Sequence, residues 1–212
     1  MSKTVVFDLD DTLVKEIDYL KSAFYEIANY LDHSNHELYD KMLEWYIKKH
    51  NVFALLCNIY PKTNLEELKI RYRGHFPNFN EYTYIKDFLR SIKQQGYFLG
   101  LITDGYSITQ RNKLKALGIE CLFHKIIISE EFGSEKPSIK NYTAFHEFNS
   151  VEYFYVGDNF KKDFIIPNQL GWNTVGIKDN GLNIHQQDFN LPKEYLPKIM
   201  ISKLEELNQI IS

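Results

Sequence analysis

The chain has 212 residues, of which 44% are hydrophobic and 15% aromatic, and its formal net charge is -3. This composition predicts a folded globular protein of one or two domains and excludes an intrinsically disordered chain. The small negative charge argues against a general nucleic-acid binder, which would present a basic surface. The sequence contains neither an apolar run long enough to span a bilayer nor the pattern of a signal peptide, so we expect no membrane association and a cytoplasmic location.

The first predicted element is a buried parallel strand that begins at Thr4, because the segment TVVF is β-branched and aromatic. Three acids follow within four residues. Since buried carboxylates need partners, we expect the strand to end at Asp8 with the acids exposed at its carboxyl end. Asp8 and Asp10 repel each other, which favours a hard divalent cation such as Mg²⁺. For this segment alone, a solvated acidic turn is an equally good interpretation.

The next part of the chain has a helical pattern throughout. Apolar residues recur at helical spacing, and Thr63 or Asn64 is a candidate cap of the fourth helix. The predicted helices are 16–31, 36–50, 51–60 and 64–74. We therefore expect residues 14–80 to form an all-helical domain, inserted into a core that consists of residues 1–13 and 81–212.

After this block, strands and helices alternate. The predicted strands are 97–102, 125–128, 152–156, 174–177 and 199–202, and the predicted helices are 82–95, 107–117, 138–148, 160–170 and 203–211. Such alternation predicts the α/β class with a doubly wound parallel sheet. The two cysteines, Cys57 and Cys121, lie in apolar surroundings, and we expect both to be reduced core residues.

Polar residues follow the predicted strands, and neighbouring strand ends converge on one crevice in such a sheet. Asp8 is suited to attack phosphorus as a nucleophile. Asp10 is placed to protonate the leaving group and then to deprotonate the attacking water. Thr103, with the backbone amides that follow it, offers donors for a phosphate oxygen, and Lys136 offers a positive charge that offsets repulsion between nucleophile and substrate.

Two further acids complete this set. Asp158 follows the predicted strand 152–156 and can serve as a metal ligand, and Asp163 is placed to support the ligands from outside. Taken singly, each of these residues has an ordinary structural interpretation as a turn, a helix cap or a solvated side chain. Their order along the chain favours a shared site.

The segments DLDDTL, LITDG, EKP and GDNFKKD together resemble the four motifs of the haloacid dehalogenase (HAD) superfamily. The helical block resembles the α-helical C1 cap of one of its subfamilies. This resemblance implies a Rossmannoid core, dependence on Mg²⁺ and an aspartyl-phosphate intermediate. It implies that Asp8 is the nucleophile, and that Asp10 is the acid/base and also gives its backbone carbonyl to the metal. It further implies that Asp158 is a metal ligand and that Thr103 and Lys136 bind phosphate, whereas the role of Asp163 varies.

The sequence departs from the family pattern at two positions where relatives often have Asn. The first is Asp104. Because an acid beside a phosphate would repel it, we expect the Asp104 side chain to point away and its amide alone to serve in phosphate binding. The second is Lys162, which we expect to alter the surroundings of the metal or the surface charge.

The acid at position 10 favours phosphate esters over halides, because a poor alkoxide leaving group needs a proton and a halide does not. We therefore predict a hydrolase of small phosphorylated metabolites, such as sugar phosphates or nucleotides. A phosphosugar mutase, a phospho-accepting receiver-like protein and an inactive relative that binds a partner through its cap remain alternatives, and the sequence gives no oligomeric state. Candidate substrate contacts are Tyr19, Trp45, Arg71, Arg73, His75 and Tyr106.

Overall fold

The computed structural model describes residues 2–211, which contain a six-stranded, fully parallel sheet. Its strands are β1 (Lys3–Phe7), β2 (Phe98–Thr103), β3 (Lys125–Ile128), β4 (Glu152–Gly157), β5 (Asn173–Ile177) and β6 (Ile199–Ile201). The strand order is β3-β2-β1-β4-β5-β6, which confirms the predicted α/β class with a parallel sheet. Because the order reverses between β1 and β4, the crevice for a ligand is expected beyond the carboxyl ends of these two strands.

The first four of the five α-helices between β1 and β2 fall in the segment 14–80, which is predicted to be an inserted cap. They are α1 (Glu16–Leu31), α2 (Leu38–Ile47), α3 (Val52–Ile59) and α4 (Leu65–Gly74). The side chain of Asn64 caps α4 by accepting a hydrogen bond from the backbone N–H of Glu67. The remaining helices belong to the core: α5 (Thr83–Gln94), α6 (Ser107–Leu117), α7 (Ser129–Phe132), α8 (Ile139–Thr143), α9 (Ile165–Gln169) and α10 (Leu207–Ile211).

Side chains that alternate along the strands belong to two separate apolar clusters, one on each face of the sheet. Phe7 and Leu101 pack on one face with residues of α5, α6 and α10, whereas Val6 and Tyr155 pack on the other face with residues of α8 and α9. The cap has a third cluster of its own, in which Phe24 is buried. A sheet covered on both faces explains why its strands read as continuous apolar runs in the sequence.

The core helices differ from the predicted ones in length. The predicted helix 138–148 is only α8 followed by a 3₁₀ turn at His146–Phe148, and the predicted helix 160–170 begins only at Ile165. The segment before Ile165 is a turn in which the Asp163 carboxylate accepts from the backbone N–H groups of Asp158 and Asn159. The short helix α7 was not predicted.

The predicted core location of both cysteines is wrong for Cys121, which is exposed on a 3₁₀ turn, and Cys57 is only half-buried. Both are free thiols. Between residues 2 and 211, none of the helices combines the length and the apolar character needed to cross a membrane.

Candidate active site

Three buried carboxylates meet beyond the carboxyl ends of β1 and β4. Asp8 directly follows β1, and its backbone N–H donates to the carbonyl of Val156 in β4 at 2.9 Å. Asp158 directly follows β4, and Asp163 comes back to it through the turn that precedes α9. Each of Asp8, Asp158 and Asp163 offers an oxygen within 4.8 Å of the others. The parallel pairing of β1 with β4 thus brings together acids that lie 150 residues apart in the chain.

Lys136 supplies the positive charge at this cluster. Its Nζ lies 2.7 Å from Asp8 Oδ1 and 2.7 Å from Asp163 Oδ1, and the residue is 6% exposed. Burial alone would lower the pKa of this ammonium, but Asp163 and Asp8 outweigh burial and raise it well above its usual value. Lys136 therefore remains charged and joins the two carboxylates.

Asp163 uses both of its oxygens to organise its neighbours. Its Oδ1 also accepts from the Tyr155 hydroxyl at 3.1 Å, and its Oδ2 accepts from the backbone N–H groups of Asp158 and Asn159 at 3.1 and 2.8 Å. The carboxylate can come this close because position 157 is glycine: a Cβ there would lie 2.5 Å from Asp163 Oδ2. Asp163 thus fixes the turn that presents Asp158.

The charge balance of the cluster fits a divalent cation. Burial, together with repulsion from Asp163, raises the pKa of Asp8 to about 8 although Lys136 opposes the rise. Burial and repulsion from Asp163 and Asp8 raise the pKa of Asp158 to about 9. Clustered carboxylate oxygens that are costly to ionise together are the donor set that a hard cation prefers. Asp8 and Asp158 are the residues that would hold it, since Lys136 does not contact Asp158.

Asp10 is not part of this cluster through its side chain. Its carboxylate lies beside α6, where Lys113 Nζ donates to Oδ1 at 2.5 Å and Gln110 Nε2 donates to Oδ2 at 2.9 Å. The amide of Gln110 also contacts Thr103 Oγ1 at 2.6 Å and the carbonyl of Asp104 at 2.9 Å. The sequence predicts a cation that relieves the repulsion between Asp8 and Asp10. At the side chain of Asp10, the ammonium of Lys113 supplies the positive charge.

Sequence reasoning missed Gln110 and Lys113, although both are buried. The available signal was the helical spacing of two polar residues, positions 110 and 113, on the face of α6 that the apolar positions Leu114 and Leu117 assign to the interior. Buried polar side chains need partners, and the acidic loop after β1 is the nearby source of them.

A second group of unpredicted contacts comes from the loop after β5. Asn183 Nδ2 donates to Asp158 Oδ2 at 2.8 Å, and the backbone N–H of Ile184 donates to Asp11 Oδ2 at 2.9 Å. Asp11 itself has a φ of 56°, a left-handed conformation that Asp tolerates better than most residues, and it also accepts from the N–H of Glu16 at 3.1 Å. These contacts tie the turn after Asp10 to the core.

The two positions that depart from the family pattern contact each other. Lys162 Nζ lies 2.9 Å from Asp104 Oδ2, and Asp104 Oδ1 accepts from the backbone N–H of Lys136 at 3.0 Å. These donors engage the Asp104 carboxylate, and the expectation that its side chain points away from a bound phosphate stays a prediction. Lys162 and Asp104 both line a cavity of about 150 Å³ that also contains Asp8.

A larger cleft of about 350 Å³ lies between the helical block and the sheet and shares Asp10, Glu16 and Asp104 with the smaller cavity. Burial and the charge of Asp10 raise the pKa of Glu16 to about 7. Of the six candidate substrate contacts, Arg73 and Tyr106 line this cleft, with the guanidinium 3.8 Å from the ring centre.

The other four candidates have partners elsewhere. Tyr19 is buried and donates to the carbonyl of Tyr72. Trp45 packs in the cap cluster. Arg71 stacks on Tyr30, and His75 shares hydrogen bonds with Ser22 and Glu26. Tyr19 packs in the cluster that contains Phe7 and Leu101, and the contacts of the other three lie among residues of α1 to α4.

The comparison with known proteins agrees with this architecture. The sequence pattern of the haloacid dehalogenase-like hydrolase family matches residues 5–177. A glyceraldehyde 3-phosphate phosphatase of Methanopyrus kandleri is 31% identical over 198 residues, which cover 84% of each chain. A glyceraldehyde 3-phosphate phosphatase of Methanocaldococcus jannaschii is 28% identical over 100% of this chain and 97% of that protein.

Among solved structures, a magnesium-bound protein described as a HAD hydrolase, YfnB from Bacillus subtilis, has the same fold. It matches with a TM-score of 0.67 at 20% identity and covers 100% of this chain and 99% of that one. The family pattern extends over most of the chain and includes both β1 and β4, whose ends carry the acidic cluster. The chain therefore belongs to the haloacid dehalogenase-like hydrolase family, among its phosphatase-type members.

Proposed function

We propose that this protein hydrolyses small phosphate monoesters through an aspartyl-phosphate on Asp8. The observation that carries the proposal is the position of Lys136, 2.7 Å from Asp8 Oδ1 at the floor of the small cavity. A buried ammonium in this position holds the nucleophile and attracts the phosphoryl group. It offsets the repulsion that an anionic nucleophile would otherwise exert on an anionic substrate.

The reaction has two steps. In the first, an oxygen of Asp8 forms a bond to phosphorus, the phosphorus–oxygen bond of the ester breaks, and Asp10 gives a proton to the departing alkoxide. In the second, Asp10 accepts a proton from water as that water bonds to phosphorus. The bond between phosphorus and Asp8 then breaks and releases inorganic phosphate and a free carboxylate.

Other residues orient the phosphoryl group. Thr103 is buried, and its Oγ1 accepts from Gln110, so its hydroxyl and the backbone amide of Asp104 form a fixed pair of donors, whereas the backbone N–H of Gly105 donates to Ser129 Oγ. The Asp104 side chain takes no part in phosphate binding because it is engaged by Lys136 N and Lys162.

We further propose Mg²⁺ as the cation, held by Asp8, Asp158 and the backbone carbonyl of Asp10. When bound, it supplies Lewis-acid charge that neutralises the phosphoryl oxygens. Asp163 holds the backbone of Asp158 by accepting from its N–H, and Asn183 holds the Asp158 carboxylate by donating to it.

The organic part of the substrate binds in the cleft between cap and core. A volume of about 350 Å³ is suited to a small metabolite. Arg73, Lys69 and Glu16 offer charged contacts in it, and Tyr106 offers an aromatic one. Since two relatives are named glyceraldehyde 3-phosphate phosphatases, a triose phosphate is the first substrate to test.

The test is the release of inorganic phosphate by the purified chain. Glyceraldehyde 3-phosphate, hexose phosphates, 5′-nucleotides and p-nitrophenyl phosphate are compared, each with MgCl₂ and with EDTA. We expect turnover that depends on Mg²⁺ and favours one class of ester. The absence of turnover on every ester in MgCl₂ would refute the proposal, and turnover unaffected by EDTA would refute the role of the cation.

A further inference from the structure

The pair formed by Asp104 and Lys162 lines the small cavity together with Asp8 and Lys136. The side chain of Lys162 is 41% exposed and that of Asp104 is 19% exposed, whereas Lys136 is buried. The pair joins the loop after β2 to the turn after β4. Through Asp104 Oδ1 it also reaches the backbone N–H of Lys136 at 3.0 Å.

The electrostatic consequence follows from the location. A lone carboxylate on the wall of a phosphate cavity repels the incoming dianion, and a lone ammonium attracts it. Opposite charges 2.9 Å apart largely cancel each other when seen from the cavity. The wall of the cavity is therefore nearly neutral, although both residues are charged. Two asparagines at these positions would also give a neutral wall, without an ion pair.

The mechanical consequence is separate. Asp104 gives one oxygen to Lys162 and the other to the backbone of Lys136, so the carboxylate bridges two of the segments that surround the phosphoryl group. An asparagine at position 104 could keep the bond to Lys136 N through its Oδ1, but it would release Lys162.

We propose that Asp104 and Lys162 form a positioning pair for the phosphate site, in which Lys162 cancels the charge of Asp104 while Asp104 holds the backbone of Lys136. The proposal rests on the proposed function for the identity of the anion. Replacing Lys162 and replacing Asp104 should therefore change the affinity for phosphate in opposite directions.

The experiment measures the binding of inorganic phosphate by calorimetry in the presence of MgCl₂, which requires no turnover. At low salt we expect Lys162→Asn to weaken binding by about three- to tenfold, because Asp104 is left uncompensated. Asp104→Asn is expected to strengthen binding by a similar factor, because it frees Lys162 and keeps an acceptor for Lys136 N. The double variant should return to within about twofold of the wild type.

Two controls separate charge from structure. Lys161→Asn removes the same charge from an exposed neighbour that does not line the cavity, and it should leave phosphate affinity unchanged. Raising the salt concentration to about 0.5 M should shrink the opposite shifts of both single variants. Thermal unfolding checks each variant, and Asp104→Ser replaces Asp104→Asn if the latter does not fold.

Shifts of the same sign in both single variants, or affinities unchanged in all of them, would overturn the positioning pair. So would a double variant that binds worse than either single one. Turnover of p-nitrophenyl phosphate by the wild type is recorded in parallel. A wild type that turns over while the variants fail these expectations refutes the pair alone, whereas a wild type that neither binds phosphate nor turns over refutes the proposed function and the pair with it.

Discussion

Replacing Asp8 by Asn tests the nucleophile and the energetics of its surroundings together. The side chain of Asp8 is 8% exposed, and oxygens of Asp158 and Asp163 lie within 4.8 Å of it. At an effective dielectric constant of about 20, an ionised carboxylate 4.8 Å away repels an ionised Asp8 by about 3.5 kcal/mol, and Lys136 at 2.7 Å attracts it by about 6 kcal/mol. Repulsion offsets part of the attraction, and burial outweighs the remainder, because the pKa of Asp8 rises to about 8.

We therefore expect Asp8→Asn to abolish turnover and yet to stabilise the protein when no divalent cation is present. Asn fills the same space and can still accept from Lys136, but its burial is less costly than that of a carboxylate. The expected gain is about 1–3 kcal/mol in the free energy of unfolding, measured in urea at pH 8 with EDTA. In MgCl₂ the order should reverse, because only the wild type keeps the full ligand set and gains stability from binding.

The control is Asp87→Asn, which removes an acid whose side chain is 80% exposed. It should change the free energy of unfolding by less than about 0.5 kcal/mol in either buffer. An Asp8→Asn protein that is less stable than the wild type in EDTA would refute the account of the buried cluster. One that still hydrolyses p-nitrophenyl phosphate would refute Asp8 as the nucleophile.

Three further changes test the surroundings of the site. Asp10→Asn should lower kcat by at least about 100-fold and slow both formation and hydrolysis of the aspartyl-phosphate in rapid-quench measurements; an unchanged rate would mean that another group carries the proton. Because burial raises the pKa of Glu16 to about 7, ionisation of its carboxyl lowers stability as the pH rises through 7. Glu16→Gln should remove roughly 1–2 kcal/mol of the stability loss between pH 5 and 8, and identical pH profiles in urea would contradict this. Gly157→Ala should push the Asp163 carboxylate aside and cost about 1–3 kcal/mol together with Mg²⁺ affinity, whereas Gly74→Ala, where a Cβ meets nothing within 4 Å, should be neutral.

The cap is where sequence reasoning was weakest. Periodicity located its helices, because the face of each helix that packs inward repeats at 3.6 residues. It did not distinguish side chains that face the cleft from those that face the interior of the cap. Arg71 lies on α4, the same helix as the cleft residue Arg73, whereas Trp45 lies on α2, and only the packing of α1 to α4 shows that neither lines the cleft.

The sequence by itself determined the order of the strands, the helical block between β1 and β2 and the strand ends at which the acids lie, because apolar periodicity and the cost of burying carboxylates act locally along the chain. Only the tertiary structure decided how these ends meet: that Asp10 turns to Lys113 and Gln110, that Asn183 supports Asp158, and that Asp104 pairs with Lys162. Each of these contacts joins segments at least 25 residues apart. Their partners are selected by the pairing of strands and the docking of helices, which no local pattern in the chain records.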